Sequence, residues 1–391
     1  MISARLKQLR LAQGLSLEAL AAEMGGIVTK QALSKYEQDK AQPSREVLNK
    51  LAAALNVNAT YLWSEPGVEV GFFGYRKKTR LTKKEQERIQ SIVRQALEER
   101  VRLQDILQPG NGVDIPVQGL VVKTLNDAEH AAEELRERWN LGLDPIANVT
   151  TILETHHVHV IEVKASETFD GISAVVRDDQ GQIKAAAVVV RQGISGERQR
   201  FSLMHELAHL VLKVKPGCDE EKAAFRFAAA FLSPANIIYR EVGSKRSFLQ
   251  PQELLLLKQQ FGMSVQAFLY RLRDLGIITE SYYKRWCIDI SKLGWRKQEP
   301  LEMPPEQPTW LRQGVLRAIS EGVITHEEVQ RMLGEDIEME QSLTLIQRRA
   351  FMKLPLEERR RILAQQAEKM VAHYEEDTEW RELGGGDVVE Y

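Results

Sequence analysis

The sequence predicts a mostly helical α+β protein: a five-helix domain in front, a small β-sheet packed on helices in the middle, and a helical, partly disordered tail. Three observations lead there. The first 63 residues alternate short apolar-periodic runs with capping residues and glycines. Three β-like runs, 158–163, 172–177 and 184–190, are separated by turn residues and precede an apolar helix containing His205-Glu206-Leu207-Ala208-His209. Beyond a proline cluster, the chain turns charged and helical and finishes acidic after 375.

At the front, Leu6, Leu9 and Leu15 lead into Ser16, the N-cap of a helix that ends at Gly25-Gly26. A second helix starts at Thr29 with Ala32, Leu33 and Tyr36 on one face, a third opens at Pro43-Ser44, and 60–63 close the unit. These boundaries place a first domain at 1–65. Residues 66–118 read as a basic helical linker, because 82–107 is long and polar with sparse apolar positions and 108–118 holds prolines and glycines. A second domain spans 119–297, with helices at 126–139, 148–155, 197–214, 219–232, 251–261 and 264–275. Four prolines make 298–308 a linker, and 309–391 form the tail.

Hydrophobic residues at 43% and charged residues at 28% exclude a disordered or collagen-like chain. The net charge of −2 hides segregation: residues 1–104 hold 18 Lys/Arg against 11 Asp/Glu, whereas 375–391 hold seven acids against Arg381. Two cysteines, Cys218 and Cys287, suit a reducing compartment. With no apolar leader and no stretch of about 18 apolar residues, a cytoplasmic protein without a membrane partner is expected.

On a helix, His205 and His209 lie one turn apart on one face, so both imidazoles can bind one metal ion. Glu206 then stands beside the metal-bound water as its proton acceptor. Zinc needs a third protein ligand. Asp219 suits a helix cap, whereas Glu220 and Glu221 each share a face with small residues, and spacing does not choose between them. His157 and His159 can pair on one strand face as a second metal site, or be strand-end polar residues. Cys218 reads as a loop cysteine or as a thiolate latch on the zinc. Arg198 and Arg200 bind a substrate carboxylate or pair with core acids.

Residues 120–295 resemble the ImmA/IrrE metallopeptidase family. The resemblance rests on Arg198-Gln199-Arg200-Phe201 running into the histidine helix, and on Glu221, Ala224, Phe227-Ala228 and Leu232-Ser233-Pro234. It implies Zn2+ held by His205, His209 and Glu221, with Glu206 catalytic, in a peptidase that cuts a regulatory protein. Phe225 stands where the family usually has Asn, and Ala223 where it often has a second acid. A strand beside the site, 184–190, is expected to align the extended substrate.

In the front domain, the helix from Thr29 exposes Lys30, Gln31, Ser34 and Lys35. Such heads read base edges and phosphates in a major groove. The segment resembles the XRE/Cro-like helix-turn-helix family, which implies a double-stranded operator and a homodimer; a helical protein-interaction module is the other reading of this scaffold. The stretch 347–391 resembles small antitoxins. It implies that Glu375, Glu376, Asp377 and Trp380 cover the basic surface of a cognate toxin, the other reading being an acidic disordered end. The functional expectation is a DNA-binding transcriptional regulator with a zinc metallopeptidase domain, serving a toxin–antitoxin pair or a stress response. Its rival is a non-proteolytic repressor or antitoxin with a dormant zinc site.

Overall fold

The computed structural model describes residues 2–64, 68–73, 81–107, 116–178, 180–335 and 351–376. It divides into two units, residues 1–335 and 336–391.

The first unit begins with α1 (Ile2–Ala12), α2 (Leu17–Glu23), α3 (Lys30–Glu37), α4 (Arg45–Ala54) and α5 (Ala59–Trp63). Ser16, Thr29 and Ser44 each accept a hydrogen bond from the backbone amide three residues on, which ends the preceding loop and starts α2, α3 and α4. Leu6, Leu9, Leu20, Leu33, Leu51 and Leu62 close a small core among the five helices.

Strand β1 (Glu69–Phe73) and helix α6 (Lys83–Leu107) follow, then β2 (Leu120–Val122), α7 (Leu125–Arg138), α8 (Val149–Thr155), β3 (Val158–Val163), β4 (Gly171–Arg177) and β5 (Ile183–Arg191). The main sheet has the order β1-β4-β5-β3; β3 runs parallel to β5, and the other pairs are antiparallel. Residues alternate across it. Ala185, Ala187 and Val189 face Ile89, Val93, Leu97 and Val101 of α6, whereas Ala186, Val188 and Val190 join the core around α9 (Gly196–Val211). Burial on both faces explains why β5 is a near-continuous apolar run.

After α9 the chain forms β6 (Leu212–Val214), parallel to β2, and then α10 (Glu220–Leu232). Next come α11 (Ala235–Val242), α12 (Pro251–Phe261), α13 (Val265–Asp274), α14 (Glu280–Lys292), α15 (Trp310–Ser320) and α16 (His326–Leu333). Beneath α10, buried Arg271 grips Glu129 of α7 with both terminal nitrogens, at 2.6 and 2.5 Å.

Three segments expected as linker or tail are built into this unit. Helix α6 is no exposed linker: its stripe of Ile89, Val93, Leu97 and Val101 backs the sheet, with all four side chains buried. The proline-rich stretch is a strap across the start of α9. Met303 exchanges hydrogen bonds with the Gly196 amide (2.8 Å) and the Glu197 carboxylate (2.9 Å). Glu306 receives Arg200 at 2.5 Å and the Thr150 amide at 2.7 Å. The strap runs so close that a Cβ on Gly196 would collide with the Pro304 carbonyl oxygen. Helix α15, expected in the tail, packs on α6 where Gly314 meets Leu103.

In the second unit, Leu356–Glu376 is helical. Glu375 and Glu376 close that helix, whereas Asp377 and Trp380 lie outside the described residues. Among the described residues, no helix is long and apolar enough to cross a membrane.

Candidate metal centre

Helix α9 starts after Ser195 and runs between the sheet and α10, so its third and fourth turns are enclosed. His205 and His209 project from those turns with ring planes at 81° and their Nε2 atoms 3.2 Å apart. From the first turn of α10, Glu221 brings Oε2 to 3.6 Å from His205 Nε2 and Oε1 to 3.8 Å from His209 Nε2. One ligand atom from each of the three residues falls within 4.8 Å of the other two, a group that could hold a metal ion. Two ligands on one tetrahedral cation, with bonds of about 2.0–2.1 Å, stand about 3.3 Å apart. The imidazole pair has that spacing, and the donor set of two nitrogens and a carboxylate is one that zinc accepts.

The neighbouring acids take different places. Asp219 caps α10 through the Lys222 amide at 3.1 Å. Glu220 approaches the other ring nitrogen of His209, Oε1 to Nδ1 at 3.6 Å, the position from which a carboxylate orients a metal-bound imidazole. The His209 backbone carbonyl accepts from Gln118 at 2.9 Å. Phe225, in the place usual for Asn in the family the sequence resembles, lays its ring 4.6 Å from that of His205.

Glu206 points to the sheet side of the helix, onto β4. Ser173 Oγ lies 2.8 Å from its Oε2 and 2.7 Å from its backbone oxygen. The carboxylate rests against Gly171, where a Cβ would meet Cγ at 2.7 Å and Oε1 at 2.8 Å. Burial pushes the Glu206 carboxyl up to about 7, and the Glu221 and Asp170 carboxylates add to this; His205 and the Ser173 hydrogen bond oppose it. A buried carboxyl with a raised proton affinity, beside three convergent ligand atoms, is suited to proton transfer.

Sequence reasoning did not find Ser173, Gly171, Glu220's contact to Nδ1 or Gln118. The signal for the first two was the Gly-x-Ser start of β4, a small pair where a strand meets a functional helix.

Several expectations fall elsewhere. Strand β5 is not the substrate-aligning strand, since β4 and β3 flank it on both edges. His157 sits in a turn at φ 59° and His159 is buried against Trp310, with centroids 4.5 Å apart. Neither belongs to a metal-binding group among the described residues. Arg200 is a core residue, bonded to Glu306 and to the carbonyls of Ile146 and Ala147. Arg198 pairs with Asp170 at 2.9 Å on the surface. The Cys218 thiol is pushed up by partial burial and by the Asp219 and Asp127 carboxylates, which works against a thiolate latch.

In the front domain, Lys30, Gln31 and Lys35 of α3 are exposed, and Ser34 is half-buried. Lys30 is ion-paired with Glu18 of α2, and Ser34 Oγ accepts from Gln38 at 3.0 Å. Arg10 pins α3 to α1 through Glu37 at 2.8 Å and also donates to the Leu15 carbonyl, before α2, at 2.7 Å. That leaves the outer face of α3 presented as a rigid surface.

Residues 6–62 match the helix-turn-helix family model, and residues 159–273 match the IrrE N-terminal-like domain. No curated protein matches the chain. The two matches bear out the resemblance read from the sequence: a helix-turn-helix domain fused to an ImmA/IrrE-like domain. The first implies a DNA-binding regulator, and the second a metallopeptidase-like domain.

Proposed function

We propose that this protein is an operator-binding regulator whose second domain is a zinc peptidase that cleaves a regulatory protein. The observation that carries this reading is Glu206, buried, bonded to Ser173 and held beside the His205, His209 and Glu221 cluster. A site that only stabilised the fold would need no proton acceptor, and structural zinc sites usually have four protein ligands. His205, His209 and Glu221 would hold the ion, with Glu220 orienting His209. A bound zinc supplies polarisation of the scissile carbonyl and acidification of water. Glu206 takes a proton from the attacking water and delivers it to the leaving amine, while Ser173 keeps the carboxylate aimed. In the front domain, Gln31 and Ser34 read base edges and Lys30 and Lys35 meet phosphates, two copies acting on a palindrome.

The test is elemental analysis together with profiling of new protein N-termini in cells expressing the wild type or Glu206→Gln. The variant should keep about one zinc per chain and lose the cleavage products, whereas His209→Ala and Glu221→Gln should lose zinc. Unchanged N-termini, with operator binding intact, would favour the rival reading of a repressor or antitoxin with a dormant site.

For the tail, we propose that the acidic stretch 375–391 covers a basic partner surface, such as the RNA-binding cleft of a toxin. Deleting 347–391 should abolish protection of cells that co-express that partner. Equal survival without the tail rejects this role.

A further inference from the structure

Strand β4 is the strand nearest the chemistry: Gly171 and Ser173 both touch Glu206. One of its edges is taken by β5. A peptide that joined the sheet beside Glu206 could add only to the other edge, as extended ligands join exposed sheet edges elsewhere. From Ser173 to Arg177 that edge is filled by this chain's own β1, antiparallel to β4, with Phe73 opposite Ser173, Gly71 opposite Val175 and Glu69 opposite Arg177.

Two features distinguish β1 from the other strands of the sheet. It has no fully buried residue, whereas β3, β4 and β5 are buried almost throughout. Its attachment is also divided: Val70 and Phe72 lean on the α6 side, with the Arg94 guanidinium 5.2 Å from the Phe72 ring, while Phe73 packs on the α9 side. A strand held by one ladder and three half-buried side chains is the least secured member of the sheet.

We propose that β1 occupies the substrate strand's place in cis, so that an extended peptide reaches Glu206 only by displacing Glu69–Phe73 from β4. The partner that fits this edge is an extended segment of the same chemistry as β1, with large apolar or aromatic side chains on the α6 face. Because β1 is tethered between the DNA-binding helices and α6, its effective concentration at the edge is high, and an untethered peptide competes poorly. The peptidase is thereby restrained in the intact chain. This rests on the peptidase reading above, and the test separates the two.

The test uses full-length, zinc-loaded Glu206→Gln protein with Cys218→Ser and Cys287→Ser, and reads binding of a fluorescein-labelled peptide GVEVGFFGY by anisotropy. Val70→Cys with Val176→Cys, opposite each other in the register, locks β1 when oxidised. Val70→Asp with Phe72→Asp frees the edge. The freed variant should bind the peptide at least tenfold more tightly than the oxidised lock, and reducing the lock should restore binding part of the way. On the protein without these strand substitutions, β4 amides bonded to β1 should exchange with deuterium faster than those bonded to β5, a measurement that needs no variant to fold. Equal peptide binding by the locked and freed forms would overturn the proposal. So would rapid cutting of the wild-type chain just after β1, which would make β1 a substrate and not a restraint. Gated binding with no cleavage by the wild type would leave the edge assignment standing and reject the peptidase.

Discussion

At Gly171 the missing side chain has a mechanical reason. A methyl group there would sit 2.7–2.9 Å from the end of the Glu206 side chain, on a strand held at this residue by its pairing with Val190 of β5. Gly171→Ala should therefore leave zinc binding intact and lower the turnover of a cleaved substrate by tenfold or more, while altering the melting temperature little. Loss of zinc with retained turnover would contradict this placement. His159 makes a second residue-scale case. Burial, with Arg100 and His157 nearby, holds its imidazole well below the usual histidine range, and Nε2 has no hydrogen-bond partner. A base whose folded-state affinity is depressed is protonated preferentially when unfolded. Stability should then fall as pH drops below about 6.5, by about 1.4 kcal/mol per pH unit for this one group. Glu206, raised to about 7, contributes in the opposite sense over the same range, so the slope should show in the difference between the wild type and His159→Gln in denaturant titrations between pH 7 and 5. The histidine pair and Glu206 were legible in the sequence because their spacing is chemistry written on one helix. Ser173 and Gly171 were not, because they meet Glu206 only through the sheet.

At the scale of elements, strap 299–306 does what a linker would not. Glu306 neutralises Arg200, which is 2% exposed, and also caps α8 through Thr150. Its neighbour Glu299 joins Glu197 on buried Lys258 at 3.0 and 2.7 Å. Glu306→Ala would leave a buried guanidinium unpaired, and should cost about 3–5 kcal/mol, read from chemical denaturation. A loss within 0.5 kcal/mol would return the segment to linker status. Composition misled here, since prolines mark both flexible connectors and extended straps, and only the acids at 299 and 306 hinted at burial partners. The same holds for α6, whose buried stripe of four residues is diluted among charges that serve its other faces. β1 escaped notice because its five residues are half-exposed and carry a central glycine. By contrast β3, β4 and β5 were legible within a residue or two at each end, because a strand buried on both faces is mostly apolar, with only a few polar residues such as His159 and Ser173.

At the scale of the first unit, α6 joins the helix-turn-helix domain to the IrrE-like domain. One side of it backs the sheet that holds Glu206 in place; the other receives α1 of the DNA-binding helices. The contact is ionic and aromatic. Buried Arg5 meets Glu98 of α6, with 2.5 Å between Nη2 and Oε1, and its guanidinium lies 4.6 Å from the Tyr61 ring. Arg331 of α16 bonds Glu99 at 2.7 Å and lies 4.9 Å from the same ring. Tyr61 thus links α1, α5, α6 and α16, and burial together with the Glu98 and Glu99 carboxylates pushes its hydroxyl up to about 12. Domains joined only by a tether unfold independently, whereas a shared buried ion cluster makes their unfolding cooperative. The wild-type chain should therefore melt its front helices together with the sheet domain, as followed by exchange of the Leu33 and Val188 amides in one experiment. Arg5→Met combined with Tyr61→Ala should separate the two, with the front helices opening first. Operator affinity at fixed salt should change less than twofold, because Gln31, Ser34 and Lys35 lie on α3, away from this junction. Front helices that still melted with the sheet in the double variant would show that the Tyr61 cluster does not couple them.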